Sequence, residues 1–99
     1  MKFFVTVTFE VKDGSKEDYK RIYKELENLG FYKILKASNG NIVTIPTSTV
    51  VSETTGSNAD LLRDTVRDKL NIVFKACKLK GDVFIIVSSD WSWGGSSFN

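Results

Sequence analysis

Ninety-nine residues make one domain around one core, and 41% hydrophobic with 12% aromatic residues can fill that core without covalent staples. No histidine and a single cysteine exclude Ser-His and Cys-His nucleophilic centres, His-ligated zinc and thiolate clusters, leaving carboxylates, lysines, arginines, tyrosines and hydroxyls for any chemistry. A net charge of +2, from 14 basic and 12 acidic residues, is too even for a strong polyanion binder unless the cations gather on one face.

No stretch reaches the roughly 18 consecutive apolar residues of a membrane span, so no membrane partner is expected. The first residues alternate apolar with polar and lead into Glu10, which predicts no signal peptide. One cysteine fits a reducing compartment, and a cytoplasmic location is expected.

In chain order, the first predicted strand runs to Val11. Phe3, Val5, Val7, Phe9 and Val11 give it one dry face, and Phe4, Thr6, Thr8 and Glu10 a mixed one. A turn at residues 12–14 leads to a helix over about 16–29, with Ser15 as N-cap and Asp18 as the far member of a capping box. Tyr19, Ile22, Tyr23, Leu26 and Leu29 form its apolar stripe, Glu17–Arg21 and Arg21–Glu25 are expected pairs on its wet face, and Gly30 ends it. Residues 31–37 read as an edge strand guarded by Lys33 and Lys36. Asn39-Gly40 predicts a two-residue type I′ hairpin, and residues 41–45 return as the third strand until Pro46 breaks the ladder.

Residues 47–57 carry seven hydroxyl residues and read as the loosest connector, with Val50-Val51 resuming some pairing. Asn58 caps a second helix whose apolar positions are Leu61, Leu62, Val66, Leu70, Val73, Phe74 and Cys77, and Gly81 is expected to stop it. Residues 83–87 form a last strand that is apolar on both faces, followed by a tail with Trp91-Ser92-Trp93 and Gly94-Gly95. The order β-α-β, hairpin, β-α-β predicts an α+β, ferredoxin-like βαββαβ two-layer sandwich with antiparallel sheet order 4-1-3-2. The domain is expected to span residues 1–88, with residues 89–99 as a C-terminal tail. The runner-up is a two-layer α+β arrangement with another strand order.

The helix-free sheet face would leave apolar surface in water, since residues 83–87 cannot hide both faces under helices. A homodimer through Phe4, Thr6, Phe84, Ile86, Trp91 and Trp93 is therefore expected, with the tail crossing to the partner or folding over its own sheet; in the simpler alternative the tail merely covers its own sheet and no dimer is needed. Recognition of RNA by base stacking on that face is disfavoured, because the third predicted strand has no aromatic residue. At the end of the first strand, Glu10 should lie near Asp82 on the antiparallel last strand, with Asp13 on the adjoining turn. These three carboxylates are the candidate ligands for a magnesium ion, beside the plainer reading of solvated turn residues. The hydroxyl-rich stretch lacks a phosphate-loop glycine pattern, and Cys77 reads as a buried core thiol.

The run Val5-Thr6-Val7-Thr8-Phe9-Glu10-Val11, followed by a helix and an edge hairpin, resembles the small CRISPR-associated adaptation protein of ferredoxin-like nuclease fold and the antitoxin endoribonucleases that share it. Ile45-Pro46-Thr47-Ser48-Thr49-Val50-Val51 and Asp90-Trp91-Ser92-Trp93-Gly94 resemble short relatives of that fold. In the adaptation protein the first strand ends in an aromatic-aspartate pair. Phe9-Glu10 takes that place here, with glutamate for aspartate. The resemblance implies a homodimer acting on RNA or DNA, or on a nucleic-acid enzyme. It also implies catalysis, if any, by Glu10 and Asp82 with magnesium. The rival expectation is a non-catalytic adaptor that binds a protein partner.

Overall fold

Ten residues, Lys2–Val11, form β1, the strand on which the other elements are built. The computed structural model describes residues 1–98; Asn99, the end of the expected tail, lies outside them. After β1 come α1 (Lys16–Asn28), β2 (Ile34–Lys36), β3 (Ile42–Thr44), β4 (Thr49–Thr55), α2 (Ala59–Ala76) and β5 (Gly81–Ser88). The result is a mixed α+β structure with a three-stranded antiparallel sheet, ordered β4-β1-β5, and a separate two-stranded sheet, β2-β3. No helix among the described residues is long and apolar enough to cross a membrane.

The expected order 4-1-3-2 is not what the sheets show. The strand beside β1 is β4, from the stretch predicted to be a loose connector, with register partners from Lys2↔Thr55 to Thr8↔Thr49. Residues 41–45 do not reach β1: β3 pairs with β2 through Ile34↔Thr44, Leu35↔Val43 and Lys36↔Ile42. Proline at 46 brings no N–H to a ladder, and Ser48 sits at φ +69, so the chain turns sharply before it can extend again. The threonines and valines that follow are β-branched and suit a half-buried pleated strand. A single antiparallel bridge, with Tyr32 and Val51 exchanging two backbone hydrogen bonds of 2.8 Å, ties the chain ahead of β2 to the outer edge of β4.

The hairpin turn also differs from the expected type I′, which needs positive φ at both central residues. Only Gly40 (φ +89) has it, while its N–H donates to Ala37 O and Ala37 N–H donates to Asn41 O. This is a three-residue loop with a left-handed glycine, and the Asn39 side chain accepts from Asn41 N–H at 3.0 Å.

Val5, Val7, Phe9 and Val11 sit in one core with Ile22 and Leu26 of α1 and Val66, Leu70, Val73 and Phe74 of α2. Both helices thus cover the odd-numbered face of β1. Phe9 stands at the centre, in ring contact with Tyr19, Tyr23 and Phe74 at centroid distances of 6.0, 5.6 and 6.5 Å. The two phenols also reach backbone: Tyr19 Oη accepts from Val11 N–H (3.1 Å) and Tyr23 Oη from Ser48 N–H (2.6 Å). They pin α1 to one end of β1 and to the turn before β4.

Both helices begin as expected. Asp18 N–H donates to Ser15 Oγ and Ser15 N–H to Asp18 Oδ2, a complete capping box, and Asn58 Oδ1 accepts from Leu61 N–H at 2.8 Å. Arg21 pairs with Asp18 at 2.8 Å, not with Glu17 or Glu25, because Asp18 is already held in place by the cap. Gly30 (φ +88) closes α1, with Gly30 N–H bonded to Glu27 O and Phe31 N–H to Leu26 O. The same double bond pattern closes α2, but with Lys78 at φ +57: Lys78 N–H reaches Lys75 O and Leu79 N–H reaches Phe74 O. Gly81 does not stop the helix as expected; it opens β5. A Cβ there would lie 2.0 Å from Glu10 O and 2.9 Å from the Phe74 ring, so β5 passes where no side chain fits.

Candidate functional site

The register of β1 and β5 fixes the helix-free face. Glu10 faces Asp82, Thr8 faces Phe84 and Thr6 faces Ile86, while on the other side Thr8 faces Thr49, Thr6 faces Val51 and Phe4 faces Glu53. Since cross-strand partners share a face, these residues make up one surface.

At its far end the sequence expectation is met in part. Glu10 and Asp82 are direct cross-strand partners, both exposed, at a recess they share with Lys12 and Lys80, where Lys12 N–H donates to Lys80 O at 2.8 Å. Asp13, at φ +53 in the turn beyond β1, does not border that recess. Among the described residues no group of three or more histidine, cysteine, aspartate or glutamate side chains is arranged to hold a metal ion. The expected three-carboxylate set is therefore not assembled; what the fold brings together is a carboxylate pair bordered by two lysines.

The six expected interface residues divide into two groups. Phe4, although on the helix-free face, is only 8% exposed, because the Trp91 indole stacks on it (5.5 Å between centroids, 22° between planes). The tail thus folds over its own sheet. Trp93 and residues 94–97 continue along a cleft whose other wall includes Ile42, Val43 and Pro46 of the hairpin. Thr6 borders the same cleft and is half-buried. Phe84 and Ile86 are different: they stay 65% and 50% exposed on β5.

β5 is also an outer strand of its sheet. Its interior, residues 83–87, has no lysine, proline or glycine, the residues that ordinarily make an edge unattractive to a second strand. The chain does guard its β2-β3 hairpin, where Lys33 precedes β2 and Lys36 ends it, and Lys33 Nζ lies 4.4 Å above the Tyr23 ring. Periodicity exposed β5 as apolar on both faces. The seat of Trp91 on Phe4 could not be read from it, since the tail has no repeat that fixes its path.

No family model matches this chain, and no curated protein matches it.

Proposed function

We propose that this chain is a binding module without catalytic machinery, working as a homodimer joined along β5. The observation that supports it most is the unguarded edge of β5 together with the exposed Phe84 and Ile86. A second copy, turned about a twofold axis, offers the same edge in antiparallel sense and the same apolar side chains, so one patch serves both partners. Covering a large apolar side chain is worth about 1.5–3 kcal/mol, and each copy brings two. Pairing would turn two three-stranded sheets into one of six strands with no open β5 edge. Sedimentation equilibrium at micromolar concentration tests this: a wild-type dimer that Ile86→Lys converts to monomer agrees with the proposal, and a wild-type monomer overturns it.

We also read the architecture as a variant of the ferredoxin-like sandwich. β4 and β5 flank β1, both helices cover one face, and the Tyr32–Val51 bridge lies where the second strand of that fold would join the sheet. The hairpin of residues 33–45 has then turned away as a separate sheet.

A second reading keeps the nucleic-acid reaction implied by the resemblance, and the cross-strand Glu10–Asp82 pair favours it. Magnesium is often held by one or two carboxylates with water completing its shell, a minimum this pair meets; Lys12 and Lys80 beside it oppose a cation. A magnesium-dependent nuclease assay separates the readings. Cleavage lost in Glu10→Ala would support the second, and cleavage that persists would remove these residues from it.

A further inference from the structure

A further recess lies between the second half of α2 and the start of β5. Its volume is about 800 Å³, within the roughly 300–1,000 Å³ typical of ligand sites. Its apolar lining is Leu70, Phe74, Leu79 and Val83, and Lys75, Lys78 and Lys80, from the last turn of α2 and the link to β5, line it as well. Arg67, Asp68 and Asn71 also border it, and the Arg67 guanidinium is already engaged with Asp64 at 3.0 Å. Charge along the groove is therefore uneven. From residue 69 to residue 81 the chain has four lysines and no acid, and among the described residues none of Lys75, Lys78 and Lys80 takes part in an ion pair.

A helix C-terminus favours cations, which accounts for Lys75 in the last turn of α2. It does not account for Lys78 and Lys80, which lie beyond the helix, or for an apolar lining beside them. We propose that this groove receives an acidic amphipathic segment of a partner protein, its carboxylates at Lys75, Lys78 and Lys80 and its apolar side chains on Leu79 and Val83. Charge complementarity selects an anionic partner. The apolar lining selects a protein over a nucleic acid: its one aromatic ring, Phe74, is buried, so the groove has no exposed ring on which a base could stack. Docking of an amphipathic helix into an apolar groove with charged rims is a common mode of peptide recognition.

This inference rests on the chain being a binding module; Val83 is common to the groove and to the proposed β5 dimer edge, and sedimentation tests the dimer separately. The experiment is fluorescence anisotropy of the full chain with a labelled helical peptide of glutamate, alanine and leucine, its leucines spaced i, i+4. A peptide of the same composition in scrambled order and a single-stranded DNA oligonucleotide of similar length are the comparisons. The ordered peptide is expected to bind, to weaken as salt is raised, and to lose about fivefold to tenfold in affinity with Lys75→Gln plus Lys80→Gln. Lys69→Gln, on the other side of α2 beside Ile72, should leave binding unchanged. Equal binding of the scrambled peptide, tighter binding of the oligonucleotide, or indifference to the double substitution would each overturn the proposal.

Discussion

Asp18 closes the capping box of α1 and pairs with Arg21, and both contacts favour its charged form. The hydrogen bond from the Ser15 backbone N–H, and then that from Arg21, hold its carboxyl below the usual aspartate range. A folded-state pKa lowered in this way adds stability that is complete above the unfolded value and is lost as pH falls through the folded one. Asp18→Asn should therefore flatten the acid side of the stability profile, read as urea midpoints taken at successive pH values below neutrality. Ser15→Ala removes the other half of the cap and should cost about 0.5–2 kcal/mol at neutral pH. At the end of α2 the expected sign reverses. Lys78 occupies a left-handed position that glycine adopts without strain, so Lys78→Gly should raise the melting temperature, by an amount worth about 1 kcal/mol. Gly81→Ala should do the opposite: its Cβ would enter the space of Glu10 O, and forcing β5 outward should cost about 1–3 kcal/mol or more, seen in the same thermal scan.

At the scale of elements, the helices were legible because their caps and stripes are local. Ser15, Asp18, Gly30 and Asn58 each act within a few residues of their place in the chain, and Ile22, Leu26, Val66 and Leu70 face the core as their spacing predicts. The strands after α1 were not, because pairing is settled between segments far apart. Residues 41–45 and 49–55 are both rich in β-branched residues, and the sequence pattern alone does not say which lies beside β1. The hydroxyls of β4 suggested a loop, whereas Val50 and Val51, buried at 1% and 4%, show a strand covered on both faces. The candidate site divides in the same way. The Glu10–Asp82 pairing follows from two strands that were both recognised, while the separation of Asp13 depends on a backbone turn that composition does not reveal. The difference between the sheets has a measurable result. Amide hydrogens of β1 and β4, in the three-stranded sheet over the core, should exchange much more slowly than those of β2 and β3, which pair only with each other.

For the whole molecule, the question is what becomes of apolar surface that the chain cannot cover alone. The tail covers Phe4 through Trp91, and this contact should matter to stability: Trp91→Ala uncovers the ring and should lower the urea midpoint without changing the secondary structure seen by circular dichroism. Phe84 and Ile86 have no such cover, and they lie on β5, an outer strand whose interior carries no guard. The most direct test of the β5 dimer is an isotope-filtered nuclear Overhauser experiment on a sample mixed from labelled and unlabelled chains. Interchain contacts among residues 83–87, symmetric about the middle of the strand, are the predicted result. Interchain contacts confined to Trp91, Trp93 and their neighbours, or none at all, would contradict it.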